Sequence, residues 1–343
     1  MKLKFAFLNL FLGCISLFLI NIKFTSNVKG EELQKVELNN EIKKGKFLIG
    51  LKQYLGGEND SFSKKKNINF ITDKGFLNLI SSNGIKHKSK EINISWVDIP
   101  IKNPKTIERI VFGPFASYES AKKQAEKLKD KGFKTTVAYP KNWEVWIPFE
   151  DDLPEFELKN KISRKIKNFQ ITPVLRSEYS LMKLEGPIYI YAQEDITING
   201  VNFGKNFYLL KDLYGTWTLV QKIEFDDYLA GVLPYEIGPN SPLEALKAQA
   251  VIARTWGIFN SDRFNMDKYH LCITTQCQVY KPPKITNKNV KKAIEATSNL
   301  ILTYRNQPIN AFYHGSNGGV SATAGESWQI QDYFYFNSII DGS

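Results

Sequence analysis

The chain is poor in cysteine and histidine, the residues that most often build disulfide frameworks and metal sites. Its 343 residues include three cysteines and three histidines. Cys14 lies in an apolar N-terminal stretch, so only Cys272 and Cys277 remain in the body of the chain. Two cysteines are too few for a framework of several disulfides or for a four-cysteine zinc site.

Acidic residues are absent from residues 1–30, where all four charged residues are lysines. Lys2 and Lys4 precede an apolar run from Phe5 to Ile22. This order predicts a signal peptide or an uncleaved signal anchor over 1–30, and therefore an exported protein that is periplasmic or faces the cell wall. Cys14 is a poor lipidation site because the apolar run continues past it. We expect contact with the membrane only through this segment.

The rest of the chain is basic. Without the four N-terminal lysines, 42 basic and 35 acidic residues remain, a net charge of +7. Such a surface suits nucleic acid, anionic lipid or an anionic wall polymer. The sequence contains no recognisable nucleic-acid-binding module, so we expect no nucleic-acid partner and favour a wall polymer.

The clearest local pattern is DDYLAGVLPYEIGPNSPLEALKAQAVIARTW, from Asp226 to Trp256. Ser241 is predicted to be the N-cap of a helix and Pro242 its first residue. Glu244 is predicted to complete the capping box with Ser241. The buried stripe of this helix is predicted to contain Leu243, Leu246, Ala250, Ala253 and Trp256. Glu236 is predicted to lie before this helix, in a turn between Pro234 and Pro239. The constrained backbone is compatible with a carboxylate aimed into a cleft, but its local context alone favours an exposed surface acid.

This stretch resembles the signature of the stage II sporulation protein D family, also called the amidase-enhancer family. The matching residues are Asp227, Tyr228, Gly231, Val232, Glu236 and the run from Pro242 to Thr255. A second block, FYHGSNGGVSATAGESW at 312–328, resembles a later motif of the family through His314, Ser316, Gly318 and Gly319. The paired glycines predict a tight turn that a ligand can approach closely. A hairpin end with incidental polar residues is the alternative.

The resemblance implies a lytic transglycosylase with Glu236 as its single catalytic acid and base, acting on glycan strands stripped of their stem peptides. It implies substrate contacts from Gln278, Tyr280, His314, Ser316, Gly318, Gly319 and Arg254. Asp227, Tyr228, Lys247 and Gln249 are candidates for supporting contacts, whereas Gln249 and Arg254 also suit surface or buried structural roles. Tyr235 departs from the small residue common in the family, and we expect it to narrow the approach to Glu236.

A non-catalytic alternative has the same basis. The family's other name implies a peptidoglycan-binding protein that stimulates an N-acetylmuramoyl-L-alanine amidase without cleaving glycan itself. In that case an amidase is the partner.

The loop HLCITTQCQVY, from His270 to Tyr280, admits three interpretations. His270, Cys272 and Cys277 can supply three ligands to a structural zinc ion. This set resembles the histidine and two cysteines through which some members of the family bind zinc. Alternatively, the two cysteines form a disulfide suited to an exported protein. Free thiols are the third interpretation. We favour zinc because His270 falls within the loop, although three ligands are an incomplete set.

The N-terminal half contains a possible second module. Arg109–Val137 predicts a strand, a Gly-Pro-Phe turn at 113–115, a helix with Ala121, Ala125 and Leu128 on one face, a stop at Gly132 and a second strand. This unit resembles half of a peptidoglycan-binding SPOR domain. An ordinary βαβ segment is the alternative.

The predicted architecture is α+β, a mixed catalytic domain with a small SPOR-like βαβ module inserted in it or preceding it. The predicted boundaries are 45–105 for N-terminal strands of the main domain, 106–150 for the SPOR-like module, 151–172 for a linker and 173–343 for the catalytic domain. Further predictions are a strand at 47–55, a hairpin at 68–80, strands at 188–192, 196–203 and 217–225, a helix containing Val290, Ala293, Ile294 and Thr297, and a hairpin over 300–313.

Overall fold

The computed structural model describes residues 5–7, 39–57, 67–149, 162–177, 180–283, 287–328 and 332–341. The fold mixes helices with several sheets, which confirms the predicted α+β class. The chain forms two compact units. Of the described residues, the first unit contains those up to 48 and those within 223–313, and the second contains those within 49–222 and those from 314 onward.

The second unit contains a large antiparallel sheet. Its strands are β3 (Asn67–Ile71), β6 (Glu91–Phe115), β7 (Thr136–Ala138), β8 (Trp143–Pro148), β9 (Ile162–Arg176), β10 (Leu181–Lys183), β12 (Thr197–Ile198) and β13 (Val201–Asn202). They run in the order β10–β9–β6–β3–β12–β13, and β8 pairs with both β6 and β7. Helix α1 (Tyr118–Asp130) follows β6 and packs against β6, β7 and β8. A short helix, α5 (Ala324–Trp328), comes later in this unit.

A second sheet runs in the order β2–β15–β14–β11–β4–β5. These strands are β2 (Lys46–Leu55), β4 (Leu77–Ser81), β5 (Lys86–Ser89), β11 (Ile188–Tyr191), β14 (Asn206–Lys211) and β15 (Trp217–Glu224). One face packs on the first sheet: Phe207 lies 6.5 Å from Phe70 between ring centroids, and the Trp217 indole N–H donates to the Ile171 carbonyl over 3.0 Å. The alternation of buried and half-buried residues along β11 and β14 follows from this one-sided packing.

The first unit is mainly helical. It contains β1 (Phe5–Phe7), α2 (Phe225–Glu236), α3 (Leu243–Phe259), a 3₁₀ turn (Asn265–Asp267), β16 (Leu271–Cys272), α4 (Lys288–Ala296), β17 (Leu300–Tyr304) and β18 (Gln307–Pro308), with a helical turn at 39–43. Helix α3 packs against α2, α4 and β17. β17 pairs with β1 and β18. The predicted helix containing Val290, Ala293, Ile294 and Thr297 is α4, with Thr297 as its C-cap, and all four residues are buried.

Several predictions for the N-terminal half are confirmed. The strand at 47–55 is β2, and the elements predicted over 109–137 occur as the end of β6, α1 and β7. Ala121, Ala125 and Leu128 are buried on one face of α1, and Gly132 has a positive φ of 90° after the helix. The resemblance to a SPOR domain stays a prediction. The predicted signal or anchor segment lies outside the described residues apart from Phe5–Phe7.

Other boundaries differ from the expectations. The predicted linker is wrong over 162–172, because these residues belong to β9 and pair along β6. The predicted hairpin at 68–80 is also wrong, since β3 and β4 join different sheets. A single strand at 196–203 is replaced by the hairpin of β12 and β13, and 309–313 form no strand. The predicted catalytic domain, 173–343, has described residues in both units, and its boundaries stay a prediction.

In the part of the chain that the structure describes, no helix has the length and apolar character needed to span a membrane.

The core of the first unit gives a stability test. Leu246 on α3 is 0% exposed, so Leu246→Ala removes buried methyl groups and leaves a cavity. We expect the free energy of unfolding to fall by about 2–5 kcal/mol in chemical denaturation. Ala248→Ser, at an exposed position of the same helix, should change it by less than about 0.5 kcal/mol. Equal effects of the two substitutions would contradict this packing of α3.

Candidate active site

Glu236 is the last residue of helix α2. The helix continues through Pro234, and the Ile237 amide closes its end by donating to the Leu233 carbonyl over 3.2 Å. Gly238 then reverses the chain with a φ of 85°, a conformation that glycine adopts without a steric penalty. The prediction that Glu236 lies in a turn is therefore wrong. Pro234 lies within the last turn of α2 and does not end the helix before Glu236.

The start of α3 also differs from the predicted capping box. The Ser241 hydroxyl donates to the Ile237 carbonyl over 2.6 Å and does not cap α3, whose N-cap is Pro242. Glu244 instead pairs with Lys247 over 2.7 Å. The predicted stripe is confirmed for Leu246, Ala250, Ala253 and Trp256, which are buried, while Leu243 is half-buried. Ser241 therefore joins the end of α2 to the segment that leads into α3.

The carboxylate of Glu236 is held from two directions. Its Oε1 accepts a hydrogen bond from the Val279 amide over 3.0 Å. The Tyr313 hydroxyl also hydrogen-bonds to this side chain. Burial raises the pKa of Tyr313, the charge of Glu236 raises it further, and the hydrogen bond from Gln278 opposes these effects. Tyr313 therefore stays protonated and can donate to the carboxylate.

Gln278 connects the groups around Glu236. Its Oε1 accepts from the Tyr228 hydroxyl over 3.2 Å. Its Nε2 donates to the Ala253 carbonyl over 3.4 Å and to the Tyr313 oxygen over 3.2 Å. Gln278 and Tyr228 are buried, so these bonds compensate for the loss of water. Both ends of one amide thus connect α2, α3 and Tyr313.

Tyr280 completes the cluster through close packing. Its ring stacks on Tyr228 with centroids 5.5 Å apart. Gly231 of α2 faces this ring, and a Cβ built there would lie 2.7 Å from the Lys281 carbonyl oxygen. The Lys281 amide donates to the Gly231 carbonyl over 3.1 Å. The segment from Gln278 to Lys281 therefore lies directly on α2 at the position of this glycine.

Burial also keeps the other two tyrosines protonated. It raises the pKa of Tyr228 well above the usual value, and the neighbouring Tyr313, Tyr280 and Glu236 raise it further. Burial raises the pKa of Tyr280, with a smaller contribution from Asp227. Near neutral pH the half-buried Glu236 therefore has two neutral tyrosines, Tyr228 and Tyr313, as neighbours.

Comparison with known proteins identifies this arrangement. Residues 214–304 match the family model described as stage II sporulation protein. An amidase enhancer of Bacillus subtilis is 41% identical over 100 residues, which cover 29% of this chain and 13% of the relative. A stage II sporulation protein D of the same organism is 32% identical over 124 residues, 32% of this chain and 36% of the relative. An uncharacterized protein of Brachyspira hyodysenteriae is 31% identical over 141 residues, 40% and 37% of the two chains.

Residues 214–304 therefore match the stage II sporulation protein family, whose relatives include stage II sporulation protein D and the amidase enhancer.

The matched stretch contains most of the cluster. Tyr228, Glu236, Gln278 and Tyr280 lie within residues 214–304, whereas Tyr313 lies beyond them. The chain spans between 13% and 37% of the length of these curated relatives. Family membership therefore applies to this domain, and the activities of the whole relatives do not transfer with it.

Arg254 has different surroundings from the other predicted substrate contacts. Its side chain is 2% exposed and forms an ion pair with Asp226 over 2.9 Å. The same guanidinium donates to the carbonyls of Thr297 and Leu300 over 2.8 and 3.1 Å. Burial lowers the pKa of Arg254 and the hydrogen bond and charge of Asp226 raise it. These contacts favour the structural alternative, in which Arg254 joins α2, α3 and the start of β17.

From His314 onward, the described residues of the second sequence block lie in the other unit. His314, Ser316 and Gly318 are exposed, and Gly318 and Gly319 have positive φ values of 65° and 99°. The Asn317 side chain accepts from the Gly319 amide over 2.9 Å, which stabilises the turn. The predicted tight turn is confirmed, and the substrate contacts of these residues stay predictions. Tyr313 was missed as a site residue, although it directly precedes His314.

Tyr235 is 47% exposed, and the Lys281 ammonium lies 4.8 Å from its ring centroid. The side chain that departs from the family pattern thus contacts Lys281. Its predicted effect on the approach to Glu236 stays a prediction.

Cys272 and Cys277 form a disulfide. The ring Nδ1 of buried His270 accepts from the Leu48 amide over 2.9 Å. Within the described ranges, no group of three or more histidine, cysteine and acidic side chains is arranged to hold a metal ion. These residues therefore do not fit the expected zinc ion. The two sulfurs are bonded to each other, and because Nδ1 of His270 accepts from the main chain, the neutral imidazole has its proton on Nε2. The structure favours the disulfide alternative.

The contact at Gly231 gives a test in which two effects oppose each other. Alanine is about 1 kcal/mol better than glycine within a helix, yet Gly231→Ala would place a methyl group against the Lys281 main chain. We expect packing to dominate, with a lower thermal midpoint for Gly231→Ala. Gly315→Ala, where nothing lies within 4 Å, is the control and should leave the midpoint unchanged. A stabilised Gly231→Ala variant would disprove the close contact.

The disulfide can be tested by peptide mapping of protein purified without reductant. Cys272 and Cys277 fall in one tryptic peptide because Lys268 is the preceding cleavage site and Pro282 blocks cleavage after Lys281. We expect this peptide to be two hydrogens lighter than its reduced form and resistant to alkylation until reduced. Stoichiometric zinc together with two alkylatable thiols after chelation would refute the disulfide.

Proposed function

We propose that the chain is an exported lytic transglycosylase that cleaves peptidoglycan strands already stripped of their stem peptides. Glu236 is its acid and base. The observation that carries the proposal is the fixed position of the Glu236 carboxylate between the Val279 amide and the Tyr313 hydroxyl, in the domain that matches the family.

A single carboxyl group suffices for this reaction. Protonated Glu236 donates its proton to the glycosidic oxygen while the bond from that oxygen to the anomeric carbon of the muramic acid breaks. The resulting carboxylate then accepts the proton of the 6-hydroxyl group of the same sugar, whose oxygen attacks the anomeric carbon. The products are a 1,6-anhydro ring and a free 4-hydroxyl end, and Glu236 regains its proton. Hydrolysis, in contrast, usually requires a second carboxylate.

The surrounding groups suit both roles of Glu236. The Val279 amide holds Oε1, which restricts rotation of the carboxyl group. The Tyr313 hydroxyl stabilises the carboxylate formed after the first proton transfer, because hydrogen bonds to a charged acceptor are stronger than those between neutral groups. Gln278 holds Tyr313 in turn. Pre-oriented groups of this kind lower the cost of reorganisation during the reaction.

Gln249 is a candidate substrate donor. Its side chain is buried, and its Nε2 has no hydrogen-bond partner among the described residues. Gln249 precedes Ala253 by four residues, so the two residues lie on one face of α3. The Ala253 carbonyl accepts from Gln278, a member of the cluster around Glu236. A sugar oxygen that accepted from Gln249 would satisfy a buried donor.

A binding function is the second candidate, and the similarity to the amidase enhancer favours it. In this alternative the same domain binds glycan and stimulates an N-acetylmuramoyl-L-alanine amidase. Glu236 then serves as a hydrogen-bond acceptor and need not transfer protons.

The decisive comparison is between wild type and Glu236→Gln on purified, amidase-treated glycan strands. Glutamine keeps the shape of the side chain but cannot supply a proton, so we expect anhydromuramic ends from the wild type and a loss of at least about 100-fold in the variant. Mass spectrometry of the released saccharides measures both. Glu244→Gln removes an exposed acid of α3 and should retain full activity.

Absence of cleavage by wild-type protein, with glycan binding retained, would refute the transglycosylase. If wild type and Glu236→Gln then stimulate an added amidase equally, the binding function replaces it.

A further inference from the structure

Three tyrosines are stacked on the second sheet, on the face opposite the core of the second unit. Tyr189 lies 4.7 Å from Tyr191 and 4.9 Å from Tyr208 between ring centroids, with interplanar angles of 19° and 25°. The alternate residues Ile188, Ile190, Phe207 and Leu209 are buried on the inner face. The tyrosine rings therefore belong to the outer face, where they are half-buried.

Strand register places lysines beside these rings. Tyr189 pairs with Ile80, which pairs with Lys86, and Tyr191 pairs with Asn78, which pairs with Lys88. Paired residues share one face of a sheet. The two rows end on β5, the edge strand, where both lysines are exposed. The Lys88 ammonium lies 4.7 Å from the ring centroid of Phe76, which is 49% exposed. We call this surface, formed by Tyr189, Tyr191, Tyr208, Ile80, Lys86 and Lys88, the tyrosine platform.

The chemistry of the tyrosine platform suits an anionic polysaccharide. The faces of aromatic rings carry partial negative charge and attract the polarised C–H groups of a sugar ring. The neighbouring rows also present the side-chain amides of Asn78 and Asn206, which can bond to sugar hydroxyl groups. Lys86 and Lys88 add positive charge, and the two rows contain no acid.

We propose that the tyrosine platform binds a glycan strand from which the stem peptides have been removed, as a site separate from the Glu236 cluster. Removal of the peptide leaves a free carboxylate on each muramic acid lactyl group, so the strand has sugar faces for the tyrosines and regular negative charges for the lysines. The identity of this polymer rests on the proposed function. The tyrosine platform retains a long strand without taking part in its cleavage.

The test measures binding of the full chain carrying Glu236→Gln, which prevents loss of the probe by cleavage. The probe is fluorescently labelled, amidase-treated glycan strands, and anisotropy gives the Kd. Lys86→Ala with Lys88→Ala should raise the Kd about fivefold to tenfold at low salt, and added salt should reduce this difference. Lys288→Ala with Lys292→Ala removes the same charge from exposed positions of α4 and should not change the Kd.

The rings are tested separately from the charges. Tyr189→Ala should weaken binding by a similar factor, whereas Tyr189→Phe keeps the aromatic face and should retain it. A neutral chitin oligosaccharide should bind more weakly, with no effect of the lysine substitutions. Thermal unfolding identifies any variant whose loss reflects misfolding, and the lysine pair on the edge strand tests the proposal independently of the rings.

An unchanged Kd in both the lysine and the Tyr189→Ala variants would overturn the proposal. An equal loss in the α4 control pair would overturn it as well, since binding would then depend only on net charge. Production of anhydromuramic ends by wild type is measured separately, so failure of the catalytic proposal is distinguishable from failure of the tyrosine platform.

Discussion

The Gln278 side chain joins three parts of the first unit through one amide group. Its oxygen accepts from Tyr228 of α2, and its nitrogen donates to the Ala253 carbonyl of α3 and to Tyr313. The next residue, Val279, holds the Glu236 carboxylate through its main-chain amide. The position of Glu236 therefore depends on this segment, and the segment depends on Gln278.

Such a buried polar network is stable only when its members have partners, because an unpaired buried group costs more than a hydrogen bond contributes. Tyr228, Gln278 and Tyr313 satisfy one another, and the raised pKa of each tyrosine keeps its hydroxyl proton in place. Gly231 allows Tyr280 and the main chain to approach α2 closely enough to close the network. The network is thus a consequence of both polar and steric complementarity.

Arg254 of α3 holds the start of α2 in a similar way. It binds Asp226 in the first turn of α2 and two carbonyls before and within β17. α2 is therefore tied near its start by Arg254 and near its end through Glu236. This pairing explains why charged and polar residues of the sequence signature are buried. They position the helices that carry the site.

Patterns of local sequence were sufficient for part of the fold. Apolar strand-like segments predict β2, β11 and β15, and helical spacing predicts α1 and α4, because one-sided burial of a helix produces that period. These local patterns do not predict a segment whose structure depends on pairing with a distant part of the chain. The lysine-rich residues of β9 have little apolar periodicity, and they form a strand because β6 pairs along them. Helix α2 contains Pro234, and local sequence rules do not predict a helix that continues through a proline.

The sequence by itself determined the family, the basic charge, the mixed α+β class and Glu236 as the candidate acid. These depend on residue identity and order along the chain. Only the tertiary structure decided that Tyr313 and the Val279 amide hold Glu236, that Arg254 is buried, and that Cys272 and Cys277 are joined to each other. Tyr313 is far from Glu236 in sequence, and a main-chain amide has no sequence signature. Their contacts exist because packing brings distant segments together.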